Sequence, residues 1–406
     1  MTAPMLAIDG GAPLRSAPMP RWPDPTEAEI AAVEAVLRSG RINYHTGDRG
    51  RAFEAAYAAY CGRSHGIALA NGTLALELAL RAYGIGAGDE VIVPARTFVA
   101  TASAVAVVGA TPVVADIEPD SGNMSAETAA ACVTERTRAI IPVHLGGWPV
   151  EMAPLMDLAA KHGLVVIEDC AQAHGATLDG VPVGGIGHAG AFSFCQDKII
   201  TTGGEGGMLV LDDDVVYRRA WEYKDHGKSL EKVLDPCKAP GANFKWLHDS
   251  FGTNWRLTEM QSAIGLTALA ELPAWHAART RNATRLAAAL AKLPGIRVPL
   301  PREGATHAFY RLYTHVEPEA LAPGWDRDRV MAAVSAEGVG CFYGSAAEIY
   351  REEAFALAGL RPAAPLPGAA RAHETSLAFL VHPTLTDTDI DDMAAAVAKV
   401  MEVAAP

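Results

Sequence analysis

At 406 residues, half of them hydrophobic, the chain can bury a large core and is long enough for two domains, which excludes a disordered polymer. A formal charge of −13 with no Lys/Arg cluster leaves no basic stripe to neutralise a phosphate backbone, so nucleic acid is excluded as partner and small molecules remain. Cys61, Cys132, Cys170, Cys195, Cys237 and Cys341 form no C-x-x-C pair, which argues against a zinc site or other metal centre and against a disulfide framework, and fits a reducing cytoplasm. The opening MTAPMLAIDGG has no basic region before an apolar run, and the longest apolar stretch is broken by Gly109 and Pro112. Neither a signal peptide nor a membrane span is expected.

Apolar residues at helical spacing predict a first helix from about Glu27 to Leu37, stopped at Ser39-Gly40, and a second over GRAFEAAYAAYCG. The pattern then alternates. HGIALA reads as a strand, NGTLALELALRAYG as a turn opening into a helix, DEVIVPA as a strand, TFVATASAVAVVG as a helix and TPVVADI as a strand. RAIIPVHL, PLMDLAAKHG and LVVIEDC continue the alternation, followed by GAFSFC and GGMLVLD. Near-continuous apolar strands separated by helices imply an α/β fold whose mostly parallel sheet is covered on both faces. Past about Leu266 the texture shifts to the Ala/Arg/Leu helix ARTRNATRLAAALAKLPG, short strands, the Pro-rich RPAAPLPGAA and a last helix, TDIDDMAAAVAKVMEV. The expected division is a large domain over 1–265 and a smaller C-terminal α/β domain over 266–406.

Ligands of open α/β sheets sit at the carboxyl ends of the strands. Asn71-Gly72-Thr73 lies between a strand and a helix, where free N–H groups and the helix dipole favour an anion such as phosphate; as a bare local feature it is equally a helix cap and a tight turn. Glu168, Asp169, Gln172 and His174 follow the strand LVVIEDC, and an acidic pair at a buried strand mouth needs a cation. His174 reads as a satisfied structural histidine. Lys198 comes 29 positions after Asp169 (198 − 169), beyond one further strand. A phosphate cradle, a carboxylate and a lysine at successive strand mouths match the needs of pyridoxal 5′-phosphate: an amine to carry it, an acid for its pyridine nitrogen and an anion site. Two other glycine-rich motifs lack their context. The G-x-G-x-x-G at Gly185–Gly190 precedes a strand and opens no helix, and TTGGEGG belongs to no G-x-x-x-x-G-K-[ST] motif.

These residues, with RAIIPVHLGGWPVEM, VIEDCAQAHGA, GHAGAFSFCQDKIITTGGEGGML, KDHG and GTNWRLTEMQSAIGL, resemble over nearly the whole chain the DegT/StrS sugar aminotransferases of the fold-type I pyridoxal-phosphate enzymes. The resemblance implies an aspartate aminotransferase-like fold in a homodimer with shared active sites. It implies Lys198 as the lysine carrying the cofactor, Asp169 at the pyridine nitrogen and Gln172 at the ring hydroxyl. Gly72, Thr73 and Ser193 would hold the phosphate, Phe98 would stack on the ring, and Asn254 would reach the phosphate of the neighbouring subunit. Relatives that dehydrate sugars carry histidine in place of the lysine, so Lys198 favours transamination. The opening IDGGAPLRSAPMPRWPDPTEAE and NWRLTEMQ are similar to the glutamine:scyllo-inosose aminotransferase and 3-amino-5-hydroxybenzoate synthase branch. The implied reaction moves nitrogen from L-glutamine or L-glutamate to a keto-cyclitol or a keto sugar, nucleotide-linked or free, by ping-pong kinetics. An aromatising synthase and a non-catalytic cofactor-binding regulator are the rival readings. Tyr44, His226, His307, Tyr310 and Tyr343 are candidate substrate contacts, and SLEKVLDPCKAPGANFKW is a candidate loop at the substrate mouth.

Overall fold

The computed structural model describes residues 5–235 and 246–406. Cys237 and most of the expected mouth loop lie outside the described residues; the start of that loop is the short helix Leu230–Leu234. The principal sheet has seven strands. They are β1 (His65–Leu69), β2 (Glu90–Pro94), β3 (Thr111–Ala115), β4 (Thr137–Ile140), β5 (Val165–Asp169) and, after the small hairpin of β6 (Thr177–Leu178) and β7 (Val181–Pro182), β8 (Ala189–Ser193) and β9 (Gly207–Leu211). Their spatial order is β1-β9-β8-β5-β4-β2-β3. From β3 to β8 neighbours run parallel, and β9 is antiparallel to both β8 and β1. The cause is local: no helix occurs between Ser193 and Gly207 to carry the chain back for a parallel return. The sheet is therefore the mostly parallel, mixed one that the alternating sequence implies.

Helices cover the sheet because each presents an apolar stripe. Gly72–Ala82 buries Ala75, Leu76, Leu78 and Ala79, and with β1, β2 and β9 these side chains form one continuous core. The other face is closed by two further clusters, one around Phe53, Tyr57, Phe192 and Phe194 and one around Ile140, Val166 and Leu155.

The C-terminal region is built on β10 (Ile296–Arg297), β12 (Leu312–Val316) and β13 (Ser376–Phe379), all antiparallel, while β11 (Ala305–Thr306) joins β6. Its own core joins Leu312, Phe379, Val397 and Met401 with Leu6 from the N-terminal segment. The expected Ala/Arg/Leu helix is longer than its sequence texture suggests. It runs from Glu259 to Leu290, started by a capping box between Thr258 and Gln261 and continuing through Pro273. A division at 265/266 thus falls inside one helix, whose Ala268 and Leu272 belong to the large core and whose Ala283 and Leu286 belong to the small one. Among the described residues, no helix is long and apolar enough to cross a membrane.

Candidate active site

A cavity of about 860 Å³ opens at the carboxyl ends of β1, β2, β5 and β8. It gathers Gly72, Thr73, Phe98, Asp169, Gln172, Ser193, Lys198, Tyr310 and Tyr343 from the sequence-derived candidates.

The anion cradle comes first. Asn71 caps the helix Gly72–Ala82 by accepting from the Leu74 amide, and the Gly72 and Thr73 amides have no acceptor among the described residues. Glycine at 72 is required by a close approach: a Cβ there would sit 2.6 Å from Cβ of Ser193. The bare backbone behind Lys198 has the same origin, since a Cβ at Gly207 would fall 2.3 Å from the Asn71 carbonyl oxygen. Ser193 is itself located by His174, whose Nε2 donates to the Ser193 carbonyl oxygen at 2.9 Å while Nδ1 accepts from the Tyr57 hydroxyl at 2.6 Å. Full burial lowers the His174 pKa to about 3, so the imidazole is neutral and structural.

Asp169 ends β5 at 6% exposure. Its carboxylate accepts from the Thr101 hydroxyl at 2.9 Å and from the Ala171 amide at 3.1 Å. Burial pushes its pKa up, and the two donors and Lys198 offset only part of that. Gln172 is oriented at both ends of its amide, accepting from the Gly146 amide at 2.8 Å and donating to Ser345 Oγ at 3.2 Å.

Lys198 lies 3.6 Å from Asp197 Oδ1 and 5.1 Å from the ring centroid of Tyr310. Burial lowers its pKa, but Tyr310, Asp197, Cys195 and Asp169 more than reverse this, so the amine holds its proton more tightly than usual. Tyr310 donates its hydroxyl to Asp197, and Arg311 reaches toward the same carboxylate at 3.5 Å. Phe98 stands 68% exposed over the opening. Sequence reasoning missed Thr101, Asp197, Arg311 and Ser345. Thr101 carries no motif of its own, whereas the pair next to Lys198 and the charge beside Tyr310 are visible in QDK and FYRLY.

Two candidates, Tyr44 and His307, are corrected. Tyr44 is in the core, donating to Glu54 at 2.8 Å and accepting from Trp221 at 3.3 Å. His307 is buried against Phe309 and uses Nδ1 to accept the Phe309 amide, because a chain turning at positive φ needs that acceptor. His226 is exposed outside the cavity, also at positive φ. Asn254 is likewise exposed and lines no part of its own chain's cavity; Phe251 beside it is wholly exposed.

The chain is similar to known aminotransferases in sequence and in fold. The L-glutamine:scyllo-inosose aminotransferase of Streptomyces griseus is 36% identical, over 98% of this chain and 97% of its own. A UDP-N-acetyl-3-dehydro-alpha-D-glucosamine 3-aminotransferase of Acidithiobacillus ferrooxidans is 42% identical over 72% of this chain and 73% of its own. The solved structure of an aminotransferase from Psychrobacter cryohalolentis is 50% identical and superposes with a TM-score of 0.91 over 94% of this chain and 98% of that one. Residues 23–398 match the DegT/DnrJ/EryC1/StrS aminotransferase family, and the chain belongs to that family and is an aminotransferase.

Proposed function

We propose that this aminotransferase holds pyridoxal 5′-phosphate, the cofactor of its family, in the cavity at the β5 and β8 mouths, and moves the amino group of L-glutamine or L-glutamate to a ring ketone of a keto-cyclitol or keto sugar. The observation that carries the reading is the fit of one crevice to all three parts of the cofactor. Two unclaimed amides and Ser193 suit the phosphate, a buried carboxylate suits the pyridine nitrogen, and Lys198 suits the aldehyde. The amine is made for a polyhydroxylated ring because the scyllo-inosose and UDP-sugar relatives share that acceptor chemistry.

When bound, the cofactor supplies an electron sink for the carbon that loses its proton. The residues do the rest. Asp169, desolvated and therefore more basic than an exposed carboxylate, keeps the ring nitrogen protonated and the sink open. Gln172, fixed by Gly146 and Ser345, would present its amide to the ring hydroxyl, and Phe98, on the same cavity wall, would cover the ring face. Lys198, once the donor amine had taken its place, would be free to take the proton from the donor's α-carbon; the Tyr310 and Asp197 oxygens beside it raise its affinity for that proton. Departure of the 2-oxo acid before the ketone enters makes the kinetics ping-pong.

Asn254 serves a partner subunit's cavity in a homodimer, a role its exposed position beside Phe251 suits. Coexpressed Lys198→Ala and Asn254→Ala chains should then regain activity that neither has alone, since one site of each mixed dimer is intact. Five free cysteines among the described residues suit a reducing cytoplasm.

The test is the visible absorbance of the protein loaded with pyridoxal phosphate, with and without L-glutamine, followed by addition of scyllo-inosose or a UDP-linked 3-keto sugar. The expected result is loss of the lysine-linked band with glutamine, its return with a ketone, and an aminated ring product; Lys198→Ala should show neither step. An aromatic product from a carbocyclic keto acid, or a band that no donor bleaches, would overturn the assignment.

A further inference from the structure

The charges on the cavity wall do not balance the reaction proposed above. The donor brings an α-carboxylate into the crevice, and a carboxylate leaving water needs a cationic partner. The cradle of Gly72, Thr73 and Ser193 is engaged by phosphate in that reading, and Lys198 by the reacting end of the cofactor. Among the described residues lining the cavity, one cation is left, Arg311.

Its geometry suits the task. Arg311 directly follows Tyr310 and stacks on its ring, the guanidinium carbon 5.0 Å from the centroid. Lys198 Nζ lies 5.1 Å from the same centroid, so the two cations are at most 10.1 Å apart (5.0 + 5.1). A donor nitrogen and its carboxyl carbon are separated by about 2.5 Å, and a bidentate guanidinium contact extends the span to about 6 to 7 Å. Two cations held against the same tyrosine ring, with a separation bounded at 10.1 Å, leave room for a span of that size. Arg311 is also underused. Its side-chain polar contacts among the described residues both start from Nη2: 3.4 Å to the Tyr310 hydroxyl, and 3.5 Å to Asp197, well beyond the 2.7–2.9 Å of a charge-assisted bond. Nε and Nη1 have no partner among the described residues and are not sealed from the cavity. Asp197 does not depend on Arg311, since the Tyr310 hydroxyl already donates to it. The backbone is held independently, by the Arg311 amide donating to the Gly146 carbonyl oxygen at 3.3 Å. Gly146 also donates its own amide to Gln172, so the guanidinium and the Gln172 amide share one rigid support.

We propose that Arg311 is the specificity residue for the amino donor, its guanidinium pairing with the donor's α-carboxylate and selecting α-amino acids over other amines. This rests on the donor reading above. The measurement compares L-glutamine with L-glutaminamide, which lacks the α-carboxylate, by the concentration that half-bleaches the lysine-linked band in wild type, Arg311→Gln and Arg311→Lys. Wild type should favour glutamine by about a hundredfold, within the range for a charge-assisted bidentate pair. R311Q should bring the two compounds to within about threefold by losing affinity for glutamine alone, and R311K should recover part of the preference. An undiminished preference in R311Q, or an equal loss for both compounds, would overturn the proposal. If neither compound bleaches wild type, the donor reading is what fails. Binding of 2-oxoglutarate, followed by protein fluorescence, still judges Arg311: at least tenfold weaker binding in R311Q supports a carboxylate site, and equal binding ends it.

Discussion

Glu168 and Asp169 are consecutive carboxylates on one buried strand, yet they have opposite fates. The pleat sends them to opposite faces. Glu168, at 0% exposure, accepts from the amides of Gly184 at 2.8 Å, Ile186 at 2.9 Å and Gly187 at 2.6 Å and from His144 Nε2 at 3.0 Å. Burial alone would raise its pKa, but these donors outweigh it and hold the carboxyl below the usual range. Asp169 has two donors and a raised pKa. A saturated carboxylate is structure. One left short of donors inside a cavity is prepared for a ligand. The same contrast disposes of the G-x-G-x-x-G segment: the Ile186 and Gly187 amides go to Glu168, those of Gly185 and His188 to the Pro182 and Val166 carbonyl oxygens, and Ala189 and Gly190 are already in β8. His144, Glu168 and Cys170 come within 4.8 Å of one another, but His144 Nδ1 already accepts the Val150 amide, which ties that trio to the fold.

The contrast breaks most visibly at Asp169. Asp169→Asn keeps the shape and both neighbours but cannot hold a proton on the ring nitrogen. The expected loss is about 10² to 10⁴ in kcat, comparable with removal of an acid/base group, with the thermal midpoint changed little. If D169N turned over at the wild-type rate, Asp169 would belong with Glu168 as structure. Glu168→Ala should do the reverse. It strands three amides and a histidine in the core, at a cost of about 3 to 5 kcal/mol, read as a lower denaturant midpoint, while the rate per cofactor-loaded molecule stays within a few-fold.

A smaller effect separates the two faces by pH. The folded state holds His174 neutral to about pH 3, whereas the unfolded chain takes up the proton near 6.5. Unfolded molecules therefore bind more protons between these values, and stability falls as the pH drops through that window. From pH 6.5 to 5 the loss is about 2 kcal/mol from this one ring. His174→Gln should flatten the fall in thermal midpoint over that interval relative to wild type.

The parts of the site read from sequence are those carried by one strand and the residues after it. Asp169, Gln172, Lys198 and Gly72-Thr73 each sit at a strand mouth, and strand periodicity fixes where strand mouths are. What sequence hides is which face a side chain takes in irregular chain and what meets it across the fold. Thr101 comes to Asp169 from 68 residues away. Arg311 and Lys198 share the Tyr310 ring although 113 positions separate them in the chain (311 − 198), the Arg311 amide being tied to Gly146, which in turn bonds Gln172 just after β5. The helix Glu259–Leu290 shows the limit for domains, since a change of composition near Leu266 has no counterpart in the chain's path.

Tyr44 sharpens the comparison at its smallest scale. An aromatic hydroxyl has the right chemistry for a sugar, but this one is enclosed by Glu54, Trp221 and Lys224, the last with its amine 4.3 Å from the Tyr44 ring centroid. Burial and Glu54 hold its pKa far above the ordinary tyrosine value, so it stays protonated and donates. Glu54 keeps other donors, the Ala68 amide at 2.9 Å and Lys224 at 3.3 Å. Like Glu168 it is saturated, and losing one donor leaves no charge stranded. Tyr44→Phe should therefore cost about 1 to 3 kcal/mol of stability, most of it from Trp221 Nε1 losing its acceptor, and leave both half-reactions at wild-type rates. A tenfold rise in KM for the ketone at unchanged stability would return Tyr44 to the substrate side and show that a filled hydrogen-bond shell does not by itself mark a residue as structural.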